Sequence, residues 1–463
     1  MKRARLLPVL LIVFSVACKN SAPKSEPVAA DTTVAVASPA NTHPAWVEQS
    51  NIYEVNVRQY TKAGTFNAFA ASLPRLKQMG VDILWFMPIN PIGKKDRKGP
   101  LGSYYAVSDY TAVNPEFGTM DDWKSLVKLA HDSGFKVIID WVPNHTAADH
   151  GWITRHPDFY AKDSTGKIIS PYDWTDVRKL NFNNPEMRDS MIAAMQFWIT
   201  NTGIDGFRCD HAVGPGADFW KKCNAILKKE KDILMLAESE ESWLYDAGFD
   251  MSYAWKIFHT TVDVAAGKRP ATAIDSTLHT VDSTFNDNKD VFLYFTSNHD
   301  ENSWNKADYG TMPGAKHAPF VVFTQTMKGS VPLIYSGQEE PILRNIAFFK
   351  KDPITFNKYS RTGLYKTLLA LRKSTPALAA DASFRKVKAG DEKAVYAYVR
   401  EKEGHKVLVV LNLSKKEQTI KIEDASLSGN PMNVFMHTKE KVDTANSFKV
   451  EPWGYVVYDY DGK

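Results

Sequence analysis

Eight times between residues 46 and 375 a short apolar run gives way to a longer amphipathic stretch. The runs fall at residues 52–57, 82–86, 136–140, 204–209, 233–237, 248–251, 291–295 and 332–335, the sixth being the weakest. Several are rich in Val and Ile, nearly continuous, and bounded by Gly or Pro, as strands buried on both faces of a parallel sheet are. Residues 121–133 open with two aspartates and stop at Gly134. Residues 185–200 start at a proline behind Asn183 and Asn184. Both read as helices with ordinary start and stop signals. Eight strands alternating with helices predict an α/β fold, a (β/α)8 barrel over residues 45–375, although alternation alone also fits a doubly wound sheet.

Two segments break the alternation. Residues 146–181 separate the third and fourth runs by more than one helix, carry Trp, His, Pro, Asp and Gly without clear helical periodicity, and read as a short inserted lobe. After Leu378 the texture changes. Residues 394–400, 406–413, 418–422 and 455–460 alternate or run with β-branched and aromatic side chains between turn clusters. They predict a C-terminal antiparallel β domain over residues 376–463.

The N-terminus reads as a targeting signal over residues 1–18. Lys2, Arg3 and Arg5 precede an apolar run at 6–17, shorter than the roughly 20 residues that span a bilayer. The run ends Ser15-Val16-Ala17-Cys18 and resembles a bacterial lipobox, with Cys18 as the lipidated residue. Ser15 departs from the usual Leu, and plain signal cleavage near Ala17 is the alternative. Residues 19–44, rich in Ala, Ser, Pro, Thr and Val, read as a flexible linker. The expectation is an exported protein, periplasmic or at the cell surface, that meets a membrane only through its lipid. Lys plus Arg exceed Asp plus Glu by 57 to 53, which leaves no basic footprint for nucleic acid. Of three cysteines only Cys209 and Cys223 lie beyond the leader. A bridge between them is open to the sequence, but Cys209 falls in a buried run where free cysteine is common. Oligomeric state is not set by the sequence.

Four runs end in chemistry. Residues 137–145 read Val-Ile-Ile-Asp-Trp-Val-Pro-Asn-His, 205–210 Asp-Gly-Phe-Arg-Cys-Asp, 233–238 Ile-Leu-Met-Leu-Ala-Glu, and 292–300 Phe-Leu-Tyr-Phe-Thr-Ser-Asn-His-Asp. One carboxylate after a strand is often a helix cap. Four such segments converging on one barrel mouth, where such folds carry their functional groups, indicate a site. Asp210, Glu238 and Asp300 would meet there from the fourth, fifth and seventh strands. Clustered carboxylates push their pKa values apart, so one keeps a proton while another ionises. Arg208, two residues before Asp210, shares its strand face and can hold it charged. Glycosidic bond cleavage needs this division of labour: one carboxyl protonates the leaving oxygen, and the other attacks or activates water.

These segments resemble the α-amylase family, glycoside hydrolase family 13. Asp140, Asn144 and His145 match its first region. Gly206, Phe207, Arg208 and Asp210 match its Gly-Phe-Arg-x-Asp, Glu238 its third-region glutamate, and Phe295, Asn298, His299 and Asp300 its fourth. Residues 80–88 and the segment from Tyr105 to Tyr110 are similar to further family stretches, and the likeness runs from about residue 51 to the C-terminus. The resemblance implies Asp210 as nucleophile, Glu238 as general acid/base, and Asp300 as the residue that distorts the sugar. It implies Arg208 as the group positioning Asp210, Tyr105 as a stacking ring, and His145 and His299 as hydroxyl binders. The reaction implied is retaining hydrolysis of α-1,4-glucosidic bonds in starch-derived glucans or maltooligosaccharides, through a glucosyl ester on Asp210. Transfer to a sugar hydroxyl, and a sugar-binding protein without catalysis, are the alternatives. No organic cofactor is implied. Calcium is, with Asn144 as a ligand.

Where many members carry Lys-His after the nucleophile, this chain has Val213 and Gly214, which leaves the leaving-group side of the site open. Glu240 and Glu241 compete with Glu238, but only Glu238 directly ends its run. Asp205 precedes its strand and reads as structural, at the barrel's far end. Trp141, Trp152, Trp174, Trp243 and Trp304 fall near predicted mouth loops, as sugar-stacking or packing residues alike.

Overall fold

The apolar runs close into a ring. A computed structural model describes residues 43–285 and 290–460. Its barrel strands are β1 Ile52–Val55, β2 Ile83–Phe86, β3 Lys136–Trp141, β4 Gly206–Cys209, β5 Leu234–Ala237, β6 Met251–Tyr253, β7 Val291–Tyr294 and β8 Ser330–Tyr335. Each pairs in parallel with its chain neighbours, and β8 pairs with β1 to complete the closed barrel.

Strand parity sorts the side chains into two layers. Ile52, Ile83, Trp85, Ile138, Leu234, Leu236, Met251, Tyr253, Leu293 and Leu333 cluster in the barrel interior. The intervening residues, among them Tyr53, Leu84, Phe86, Ile139, Phe207, Met235 and Ile334, pack outward in a second core with helical side chains such as Leu76, Trp123 and Trp198. Glu54, Asp140 and Arg208 share the parity of the inner layer, so the same alternation that fills the barrel also aims three charged groups inward.

Strand ends shift against the sequence runs, most tellingly in the first, sixth and eighth. The first stops at Val55 because Asn56 opens a helical turn, Val57–Tyr60. The sixth begins only at Met251. Gly248 turns the chain at φ 91°, and the Asp250 carboxylate accepts from the Met235 amide at 2.8 Å. The eighth starts earlier than its run, at Ser330. The predicted helices form as Met120–Asp132, with a Thr119–Asp122 capping box, and Pro185–Thr202, capped by Asn184 and ended by left-handed Gly203. In the lobe, His145–Ala147 pairs antiparallel with Val177–Lys179, and two short helical turns, Trp152–Arg155 and Pro157–Phe159, interrupt the loop.

Beyond the barrel, Ser383–Val387, Val395–Lys402, His405–Asn412 and Tyr455–Asp459 are consecutive strands of a six-stranded sheet, antiparallel at each of these pairings. Gln418–Ile420 leaves that sheet and pairs with Phe448–Val450 in a separate ribbon. Cys209 and Cys223 are free and buried. Among the described residues no helix is long and apolar enough to cross a membrane. Cys18 and the leader lie outside the described residues.

Candidate active site

Two strands extend their ladders one rung past their ends and so deliver two carboxylates to the barrel mouth. The Asp210 amide donates to Trp141 O at 2.8 Å, and the Glu238 amide donates to Cys209 O at 2.9 Å. The close approach of β4 to β5 requires glycine at position 206. There φ is 146°, and a Cβ would fall 2.0 Å from Leu234 O.

Arg208 organises the floor. Its guanidinium is fully buried and donates from Nη1 to Asp140 Oδ1 at 3.0 Å and to Asp210 Oδ1 at 3.1 Å. Nη2 stands 3.0 Å from Glu238 Oε1 as an ion pair without a hydrogen-bonding angle. Nε donates to the Tyr253 hydroxyl at 3.0 Å, and the group lies 5.1 Å from the ring centre of Trp85. Asp210 and Glu238 thus flank one planar cation.

One cation among several carboxylates cannot neutralise them all. Burial lifts Glu238 to about 7, opposed by Arg208 and reinforced by the charges of Asp210 and Asp300. Burial also lifts Asp140 to about 7. Asp210 is raised by burial too, with Arg208 as the main opposing influence, so the guanidinium moderates the effect of burial on Asp210 and does not reverse it. Asp300 goes the other way. Enclosure raises it, but the charge and hydrogen bond of His299 outweigh that and hold its carboxyl below the usual range. Burial thus lifts Glu238 and Asp140 alike and Asp210 in the same direction, while His299 holds Asp300 ionised.

The cleft above this floor has a volume of about 790 Å³ and is lined by Tyr105, His145, Asp210, Glu238 and Asp300 together with Trp174, His211, Trp255, Trp304 and Phe348. Tyr105 donates its hydroxyl to Asp140 Oδ2 at 3.0 Å and lies 2.7 Å from His299 Nε2, their rings stacked at 5.5 Å. His145 Nε2 faces Tyr105 O at 3.2 Å, and burial lowers its pKa to about 4, so it is neutral. The His211 amide donates to Glu238 Oε2 at 2.7 Å. All seven sequence-predicted residues of the mouth, Asp210, Glu238, Asp300, Tyr105, His145, Arg208 and His299, come together here.

Asn144 is buried beside them and places its amide nitrogen 3.3 Å from His145 Nδ1. No group of three or more His, Cys, Asp or Glu side chains that could hold a metal occurs among the described residues. Of the five tryptophans, Trp174 and Trp304 line the cleft. Trp141 is fully buried between Tyr110 and Phe207, and Trp152 packs against Tyr110, His150 and Phe159. Trp243 packs against the outer core. Asp205 accepts from Val137 N and pairs with His131, Lys136 and Lys231 at the start of β4, a structural knot at the opposite end from the site. Glu240 reaches the cleft but is bound by the Lys256 amide at 2.9 Å.

Sequence reasoning left out Glu54, Tyr253, Trp255 and His211. A lone carboxylate inside the apolar run Ile-Tyr-Glu-Val was a readable signal for Glu54. Nothing local marked the other three.

The model of the α-amylase catalytic domain matches residues 43–179 and 162–361, and that of the α-amylase SusG C-terminal domain matches residues 395–457. The chain is 28% identical to an α-amylase, MalA, of Haloarcula japonica over 81% of its own length. It spans 57% of the length of that relative. Among solved structures it is similar to an α-amylase from Lactobacillus plantarum, with TM-score 0.80 and 30% identity, covering 90% of this chain and 99% of the other. It is also similar to a maltogenic α-amylase, AmyB, from Thermotoga neapolitana, with TM-score 0.82 and 26% identity over the same shares.

Proposed function

The chain belongs to the α-amylase family, and from that membership we propose that it hydrolyses α-1,4-glucosidic bonds of starch-derived glucans or maltooligosaccharides with retention of anomeric configuration. One observation carries the reading: a single buried guanidinium contacts Asp210 on one side and Glu238 on the other at the floor of an aromatic cleft. Retaining glycosidases hold their two carboxyls about 5–5.5 Å apart, and a shared planar cation suits that separation.

Glu238, protonated near neutrality, donates its proton to the glycosidic oxygen as the bond to the anomeric carbon breaks. Asp210 attacks that carbon from the other face and forms a glucosyl ester. Glu238, now ionised, takes a proton from water, the hydroxide adds to the anomeric carbon, and Asp210 leaves with its charge restored. Asp140 is lifted alike by burial, but its two oxygens are taken by Arg208 and Tyr105 and it lies outside the cleft lining, so it does not reach the sugar. Asp300, ionised and at the rim, stabilises the oxocarbenium-like transition state and hydrogen-bonds the reacting ring with His299. His145, neutral, binds a hydroxyl. Tyr105 stacks on that ring.

The calcium expectation rests on the single amide of Asn144, short of the roughly six to eight oxygens that Ca²⁺ takes, and no step uses it. Melting with EDTA and with added calcium tests it. Export and anchoring through Cys18 remain part of the proposal, supported by the charged start and apolar run of the leader.

The decisive experiment incubates the protein with maltoheptaose, starch and a branched or trehalose-type substrate, and reads the first-formed anomer by NMR. Initial α-products that are lost in Asp210→Ala support the reading. Initial β-products, or unchanged turnover in that variant, overturn it. Longer oligosaccharides among the products would replace hydrolysis with transfer.

A further inference from the structure

Glu54 has no place in the chemistry above, yet it is the third residue of β1, fully enclosed inside the barrel and aimed at the site. Its Oε1 lies 2.5 Å from His299 Nδ1, and its Oε2 has no hydrogen-bond partner among the described residues. An ionised carboxylate in such a place is expensive unless a cation faces it. Proton bookkeeping supplies one. Asp140 accepts from Arg208 on Oδ1 and faces the Tyr105 hydroxyl on Oδ2, so in its ionised form it takes the single proton of Tyr105. The tyrosine oxygen must then accept from His299 Nε2 at 2.7 Å, while Asp300 Oδ2, 3.2 Å from the same nitrogen, offers only lone pairs. Both ring nitrogens face acceptors, and a ring that donates from both nitrogens is the charged form.

The geometry points to Glu54 as a positioning residue that holds His299 as an imidazolium, so that the doubly donating ring ties down Asp300 and Tyr105 together. The assignment rests on the hydrolase reading for its catalytic consequence only. The titratable groups that face His299 are Glu54 from β1, the neutral Tyr105 from the loop after β2, Asp140 from β3, Asp210 after β4 and Asp300 beside it; burial raises Glu54, and His299 with Arg208 opposes that rise. Burial opposes the charge on His299, and Asp300 and Glu54 together raise its pKa well above the ordinary value. The negative end of this relay comes from a residue 245 positions away in the chain, and its consequence is a site whose sugar-binding histidine does not titrate near neutrality.

Glu54→Gln keeps the size and an accepting oxygen but removes the charge. The test records imidazole ¹⁵N spectra of the whole protein from pH 5 to 9, with His299 assigned by its loss in His299→Gln. In the wild type both nitrogens stay protonated throughout. In Glu54→Gln the ring titrates near the ordinary histidine value of about 6.5. The kcat/KM ratio of variant to wild type on maltoheptaose, in which Glu238's own titration cancels, then falls about tenfold at pH 7.5 and stays within about twofold at pH 5.5. Glu54→Asp restores the charge and with it the flat ratio. A neutral His299 in the wild type at pH 7, or an unchanged His299 titration in Glu54→Gln, overturns the assignment. If Glu54→Gln does not fold, the wild-type spectrum decides alone. The spectra need no substrate, so a protein that cleaves no glucan sinks the hydrolase reading and still leaves Glu54 to be judged.

Discussion

Replacing Glu238 by Gln tests the site through stability as well as through rate. The Gln side chain mimics the protonated acid. In the folded protein Glu238 titrates near 7, lifted chiefly by burial, against 4.5 for a free glutamate. A carboxyl whose folded pKa is raised favours the fold fully below the unfolded value, and that contribution is lost as pH rises through the folded one. At about 1.4 kcal/mol per pH unit, the interval from 4.5 to about 7 amounts to about 3 kcal/mol. Glu238→Gln is therefore more stable than wild type by up to about 3 kcal/mol at pH 8, about 2 kcal/mol at pH 6, and by almost nothing at pH 4. Asp140 shares the guanidinium and is lifted by the same burial, so the two titrations are not independent and the pH 8 figure is a ceiling. The assay is urea unfolding of both proteins at the three pH values, with kcat measured alongside. Loss of general acid catalysis lowers kcat by about 10²–10⁴-fold. A variant less stable than wild type at pH 8, or a stability difference independent of pH, would refute the claim that Glu238 carries a burial-held proton.

Tyr253→Phe removes the acceptor of Arg208 Nε and leaves a buried donor unpaired. It should cost about 1–3 kcal/mol in urea unfolding, and an unchanged midpoint would show that the contact carries no weight. Gly206→Ala drives a Cβ toward Leu234 O at a left-handed backbone angle. It should lower stability by about 3 kcal/mol or more and disturb the paired strands that carry Asp210 and Glu238; wild-type activity and midpoint would contradict this. Cys18→Ser should move the protein from the membrane fraction to the soluble fraction on cell fractionation, and an unchanged distribution counts against the lipid anchor.

Much of the barrel was legible because strand and helix periodicities are local. The runs at 136–140 and 233–237 became β3 and β5 nearly unchanged. Run 248–251 misled because its apolar texture belongs to a turn, held by Asp250 reaching back to the Met235 amide. The aromatic residues were the least legible. Trp141 follows a catalytic-looking aspartate and is nonetheless core, whereas Trp255 stood out in no motif and lines the cleft. Sequence spacing says which residues stand near a strand's end, and loop conformation says which way a ring faces.

What the chain's order determined was parity and position: Arg208 and Asp210 on one face of a strand, Glu238 and Asp300 beyond the ends of two others. Those relations span few residues and follow from the two-residue repeat of extended backbone. The pairing of β3, β4 and β5 decided that one guanidinium would face Asp140, Asp210 and Glu238 together, and ring closure that Glu54 of the first strand would meet His299 after the seventh. Those contacts join residues as many as 245 positions apart. They exist because strands far apart in the chain pair side by side and the eighth closes on the first, a property of the closed barrel that no local stretch of sequence carries.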